Sequence, residues 1–303
     1  MEFPKSHIHP PQTTHTHTVI LLHGRGSDGG EFASELFSSE TSNGKNLPSN
    51  LPSYRWVFPT SRNRWSTAFK EEMCAWFDAY SLDNIYEHQE LQKAGLRESI
   101  ANILSIIDDE ARLLDGKYGN IYLGGMSQGM ATALWAFLAA SATGRFQGPL
   151  GGLLGFCGWL PFAQQLEWLL SEPELGPGSA QTRSLISGFY FEQIAGAGEV
   201  VPEGKVGGGA VLETPVFLSH GADDPWVSVE LGRQACQVLR KIVGRVDWEE
   251  FTGCEGVPSS LPSSHPSKTC AGGKTERRRL RETCGFTMTV TPPNFADGNR
   301  SAT

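Results

Sequence analysis

The chain has 303 residues, with 25 Lys and Arg against 33 Asp and Glu, and its net charge of −8 excludes an overall basic surface for nucleic acid. Hydrophobic residues make up 39 %, while 35 glycines and 18 prolines imply long loops around a core that a chain of this length can bury as one domain. The charge is uneven: residues 257–303 carry seven basic and three acidic side chains, net +4, which leaves net −12 on 1–256 and sets the last segment apart.

In chain order, Met1 to Thr18 has His and Pro but neither the basic start nor the apolar stretch of a secretory signal, so residues 1–17 read as a flexible lead-in. Its His7, His9, His15 and His17 lack the Cys or carboxylate spacing of a metal site. Thr18–Leu22 is a continuous apolar run, as in a buried strand, and ends in the glycine turn His23-Gly24-Arg25-Gly26. Arg55–Phe58 predicts a second strand, closed by Pro59. Between Glu87 and Leu114, Leu96, Ile100, Ile103, Leu104, Ile107, Ala111 and Leu114 recur at spacings of three and four, which predicts one long amphipathic helix. Asn120–Gly124 predicts a buried strand and Met130–Ala140 a buried helix. Further strands fall at 152–157, 215–219 and 246–251, and Leu231, Ala235, Val238, Leu239, Ile242 and Val243 mark a helix between the last two. Strands alternating with helices imply a mostly parallel α/β sheet with helices on both faces, within a domain spanning 18–256.

Two stretches break the rhythm. Residues 171–213 are rich in Gly, Ser and Glu and read as a surface insertion, part of it ordered around Leu185 to Phe191. Residues 257–303 are rich in Pro, Ser and Thr, include the basic run Lys274 to Arg281, and read as a divergent tail expected to be disordered. No run reaches the length of a membrane span, and the six cysteines show no C-x-x-C spacing, which suits thiols in a reducing compartment. The expectation is a soluble, cytoplasmic protein with no metal, no nucleic-acid partner and no stable membrane insertion.

The strand and helix predicted on either side of Gly125-Met126-Ser127-Gln128-Gly129 make this G-x-S-x-G a nucleophile elbow, with Ser127 on the turn. A serine needs a histidine to take its proton and a carboxylate to orient that histidine, in the order Ser, Asp, His in this architecture. Asp224 follows the apolar run 215–218 in the sequence Ser219-His220-Gly221-Ala222-Asp223-Asp224-Pro225, where such an acid belongs, with Asp223 as the fallback. The backbone N–H groups of Arg25 and Gln128 are the expected oxyanion donors, and His23 lies too early in the chain for the usual base, so a loop-fixing role is expected for it.

At this point the chain resembles a known family. The segments LLHGRGSDGGEF, GGMSQGMA and HGADDPWV are similar to those of the acyl-protein thioesterase/lysophospholipase family of α/β-hydrolases, also called the phospholipase/carboxylesterase family. RWSTAFKEEMCAWFDAY, ELQKAGLRESI and FCGWLP extend the resemblance over about Thr18 to Gly256. It implies an α/β-hydrolase fold, no cofactor, and cleavage of thioesters or carboxylic esters of acyl groups borne by acylated proteins, lysophospholipids or small esters. Trp76, Phe77 and Trp159 become candidates for lining the acyl site. The chain departs from the family at its C-terminus. Members place the base histidine in a short loop after a strand resembling VDWEEFTGCEG, whereas here VPSSLPSSHPSK follows and His265 is the histidine left after Asp224. The alternative reading is a catalytically impaired acyl-binding or interaction protein that lacks a properly placed base.

Overall fold

A computed structural model describes residues 2–196 and 209–252. The strands are β1 (His7–His9), β2 (His17–Leu22), β3 (Tyr54–Phe58), β4 (Arg62–Ser66), β5 (Glu71–Ala75), β6 (Ile121–Met126), β7 (Gly152–Phe156), β8 (Val216–Gly221) and β9 (Val246–Phe251). The helices are α1 (Gly29–Ser38), α2 (Leu47–Asn50), α3 (Gln92–Leu113), α4 (Gln128–Thr143), α5 (Ala163–Leu169), α6 (Ala180–Phe189) and α7 (Val229–Ile242). Seven strands form one sheet in the order β1-β3-β2-β6-β7-β8-β9, parallel except for β1, while β4 and β5 make a separate antiparallel hairpin.

The run of β2 is continuous because both of its faces are covered. Val19 and Leu21 pack with Phe32, Ala33 and Leu36 of α1 and with Trp56 and Phe58 of β3. Ile20 and Leu22 point into the main core with α3, α4 and α7, as the two-residue period of a strand requires. Helix α4 is apolar all round and buried from Gln128 to Ala142, since the sheet, α3 and α6 enclose it. The mostly parallel sheet with helices on both faces is therefore as expected, and no helix among the described residues is long and apolar enough to cross a membrane.

Two segments differ from expectation. The lead-in is tied down: β1 pairs antiparallel with the edge of β3, His7 opposite Phe58 and His9 opposite Trp56. The N–H groups of Gln12 and Thr13 then donate to Pro52 O, and that of Thr16 to Ser53 O. The open edge of β3 supplies the backbone partners that a three-residue strand cannot announce by its own pattern. The Gly-rich stretch 171–213 is likewise more than a surface insertion. Ile186 of α6, with Tyr190, Ile194, Val211 and Leu212, is buried in the main core, and Phe189 stacks on Trp135 of α4 at 5.9 Å between ring centroids. The residues between Gly196 and Gly209, and the tail from Gly253 with His265, lie outside the described residues.

Candidate active site

Ser127 occupies the junction of β6 and α4 with φ 53° and ψ −119°, a backbone conformation that costs a non-glycine residue about 1–3 kcal/mol and persists only where its surroundings impose it. They do so here. The Ser127 N–H donates to Phe156 O at the end of β7, 2.9 Å away. The turn is closed by glycine: a Cβ on Gly125 would stand 2.4 Å from the Gly129 carbonyl carbon. The serine is thus presented, half-exposed, on the first turn of α4, whose leading N–H groups have no partner within the helix.

The next residue clamps the elbow to the segment preceding α3. Buried Gln128 accepts the Trp76 N–H on Oε1 at 2.9 Å and donates from Nε2 to Phe77 O at 2.8 Å. Ser99 of α3 holds Trp76 O at 2.7 Å. The glycine turn after β2 passes beside the serine, since a Cβ on Gly24 would lie 3.7 Å from Ser127 Cβ. Arg25, next in the chain, is therefore brought to the same place as Gln128. Its guanidinium stacks 4.6 Å from the Phe69 ring centroid and donates to Ala79 O at 3.3 Å. Burial pushes its pKa down, against the nearby Asp78 carboxylate.

His23 has the loop-fixing bonds expected of it. Fully buried, it accepts the Ser61 N–H on Nε2 at 3.0 Å, so Nδ1 carries the proton and donates to Gly24 O at 2.6 Å. Its main-chain oxygen accepts the Trp76 indole N–H at 2.8 Å. Burial pushes the imidazole pKa down from 6.5 to about 4. The unfolded chain then binds a proton that the folded chain refuses, so stability present above pH 6.5 is lost as pH falls towards 4, by about 3 kcal/mol in all. Urea unfolding between pH 7 and 5 is expected to show this slope, and His23→Gln to flatten it; equal slopes in the two chains would contradict the assignment.

Asp224 lies in the loop after β8, where its Oδ1 accepts the N–H groups of Trp226 at 2.8 Å and Val227 at 3.0 Å. The N–H of Cys157 donates to Ser219 O at 2.9 Å and that of Ala222 to Phe251 O at 2.8 Å, so the ends of β7, β8 and β9 are tied together around this loop. Cys157, His220 and Asp224 are the group among the described residues whose donor atoms could hold a metal ion.

The aromatic candidates divide. Trp76 and Trp159 are buried core residues, with the Trp159 ring edge-on to Phe77 at 6.1 Å, and neither borders the depression beside Arg25. Phe77 is also buried but borders a shallow depression together with Arg25, Trp65, Ser66, Asp78 and Ala79. The exposed aromatics beside Arg25 are Trp65 on β4 and Phe69 in the hairpin loop, 56 % and 51 % exposed. Neither belongs to the residues that the sequence singles out for the site; two large rings within the polar run RWSTAF were the available signal. The candidate base, His265, lies outside the described residues.

A family model described as Phospholipase/Carboxylesterase matches residues 4–172. Over 249 residues the chain is 26 % identical to acyl-protein thioesterase 1 of Yarrowia lipolytica, covering 80 % of this chain and 86 % of that one. It is 24 % identical over 260 residues to acyl-protein thioesterase 1 of Gibberella zeae, with coverage of 84 % and 90 %. Among solved structures, Zea mays acyl-protein thioesterase 2 superposes with a TM-score of 0.54 at 24 % identity, over 82 % of this chain and 90 % of that one, a likeness of fold.

Proposed function

Because the chain belongs to the phospholipase/carboxylesterase family of α/β-hydrolases, we propose that it cleaves thioester or carboxylic ester bonds of acyl groups through a Ser-His-Asp mechanism. The observation that carries the reading is the backbone of Ser127, held in a costly conformation at a strand-to-helix turn with the Gly24-Arg25 loop beside it. Ser127 Oγ attacks the acyl carbonyl while the base takes its proton. The oxyanion is held by the N–H groups of Arg25 and Gln128. The imidazolium returns the proton to the departing thiolate or alkoxide, and water then cleaves the acyl-enzyme through the same base. Asp224 orients the histidine through the carboxylate oxygen that does not hold the Trp226 and Val227 amides.

For the base we assign His265. The described chain ends at Thr252, directly after β9, whose last residue is bonded to the Asp224 loop. From there to His265 the chain has a contour on the order of 40 Å at about 3.4 Å per residue, ample for a return to the site. The relatives' names make acylated proteins the first substrate class to try, ahead of lysophospholipids and small esters. Trp65 and Phe69 form an apolar rim along which an acyl chain would lie. Trp65→Ala is expected to lower kcat/KM for a long-chain ester about tenfold and for an acetyl ester less than twofold; equal losses on both would remove Trp65 from the acyl site.

The test is labelling of the full chain by a fluorophosphonate probe, alongside hydrolysis of a medium-chain thioester. The expected result is labelling at Ser127 and turnover, both lost in His265→Ala. Turnover that survives His265→Ala would move the base elsewhere. Acyl binding with neither labelling nor turnover would make the chain a non-hydrolytic member of its family.

A further inference from the structure

We propose that Cys157, His220 and Asp224 form a binding site for a borderline-soft divalent cation, zinc foremost, beside the candidate nucleophile. The three residues are far apart in sequence and meet through sheet register. Phe156 pairs with Ser219 across β7 and β8, so Cys157 and His220 occupy the next rung, and Asp224 follows in the loop above them. One donor atom from each, thiol sulfur, imidazole nitrogen and carboxylate oxygen, lies within 4.8 Å of the other two.

The histidine points to a ligand. His220 is fully buried, and its Nδ1 bonds Gly221 O at 3.0 Å, while among the described residues its Nε2 is buried with no hydrogen-bond partner. A backbone carbonyl on Nδ1 fixes the proton there and leaves the lone pair on Nε2, the tautomer in which metal-binding imidazoles are commonly held. A buried acceptor left in this state is disfavoured unless something meets it. The other two ligands are also held in place: Cys157 sits at φ 48°, turned out of the strand path at the end of β7, and the Asp224 carboxylate is fixed by the two amides of its loop.

The donor set selects the ion. Sulfur, nitrogen and oxygen suit zinc with an open fourth position, at bond lengths of about 2.0–2.3 Å, whereas a thiolate disfavours magnesium and calcium. Thiolate and carboxylate together balance the 2+ charge, and binding releases the thiol proton. Donors on a tetrahedral zinc stand about 3.5 Å apart, so closure requires side-chain rotations on the order of 1 Å. Because Ser127 is bonded to Phe156, the neighbour of Cys157, and Asp224 is shared, occupancy should inhibit hydrolysis. That consequence rests on the hydrolase reading; the binding itself does not.

The test begins with metal-stripped full chain titrated with Co²⁺, read by its thiolate-to-cobalt charge-transfer absorption, with Zn²⁺ as competitor. The unaltered chain is expected to show the band, and Cys157→Ala to lose it and to bind Zn²⁺ at least about 100-fold more weakly. Cys157→Ser, which keeps the volume and offers a harder oxygen, serves if the alanine variant does not fold, and Cys236→Ala should leave the band intact. A folded Cys157 variant with the same band and the same Zn²⁺ affinity as the unaltered chain would overturn the site. Where the metal-free chain turns over substrate, Zn²⁺ should inhibit it, and the Cys157 variants should need at least about 100-fold more. A chain without turnover would count against the hydrolase reading and leave the cobalt spectrum to decide the site.

Discussion

Replacing Ser127 with alanine is expected to lower kcat/KM for a medium-chain thioester or p-nitrophenyl ester at least about 10⁴-fold, a loss of transition-state stabilisation of roughly 5 kcal/mol. The size follows from what is removed. On the proposed mechanism there is no acyl-enzyme without Oγ, and the residual rate would rest on the Arg25 and Gln128 amides and on substrate binding, which alone still exceed the rate in water. Stability should hardly change. Alanine at 127 keeps the same φ of 53° and the same N–H to Phe156 O, and it loses only a half-exposed hydroxyl. The urea midpoint is therefore expected to move by no more than about 0.5 kcal/mol, which separates lost chemistry from lost fold. Combining Ser127→Ala with His265→Ala should cost no more than Ser127→Ala alone, because the members of such a triad act as a unit. A loss below tenfold in the serine variant would sink the assignment of the nucleophile. A further loss in the double variant would show that His265 acts in some other step.

Much of the frame was legible because buried parallel strands are continuous apolar runs. Thr18–Leu22 and Arg55–Phe58 lie within a residue of β2 and β3, and the spacing of Leu96 to Leu114 locates α3, whereas Val246–Phe251 coincides with the edge strand β9, whose residues are half-buried or exposed. The missed elements carry their signal elsewhere. His7–His9 becomes a strand only because β3 offers an edge, and β4 and β5 are mostly half-buried or exposed in polar sequence, which hides them from a search for apolar runs. Ile186, Ile194 and Val211 belong to one core although a Gly-rich stretch separates the last two. The candidate site divides in the same way. The placement of Ser127, the Gly24-Arg25 segment and Asp224 on turns at strand ends was legible because turn chemistry is local. Trp76 and Trp159 read as pocket lining because an aromatic side chain looks the same in sequence whether it is packed in the core or lines a site. The Cys157, His220 and Asp224 cluster eluded a rule based on C-x-x-C spacing because the register of β7 on β8, rather than proximity in sequence, assembles it.

Gly129→Ala is expected to destabilise the fold by at least about 4 kcal/mol, a large share of the roughly 5–15 kcal/mol that holds a typical domain. A Cβ there would stand 2.2 Å from Leu22 O, 2.6 Å from Leu22 C and 2.7 Å from His23 O. All three are backbone atoms at the strand end that leads into the Gly24-Arg25 loop, so no rotamer change relieves the overlap. Helix α4 would have to lift away from β2 by roughly 1 Å at its first turn, and interiors packed to crystal density resist such a shift. The lift would also strain the Gln128 bonds to Trp76 and Phe77 and displace the Arg25 and Gln128 amides from each other. Two other glycines isolate the cause. A Cβ on Gly148 would have nothing within 4 Å and its φ is not left-handed, so Gly148→Ala should be neutral to within about 0.5 kcal/mol. Gly26 also faces open space but sits at φ +85°, so Gly26→Ala should cost only the conformational penalty, about 1–2 kcal/mol. Urea unfolding of the three variants should rank them Gly129, Gly26, Gly148 from most to least damaged. If Gly129→Ala fell within about 1 kcal/mol of the unaltered chain, α4 would not approach β2 closely enough to form the elbow on which the catalytic assignment of Ser127 depends.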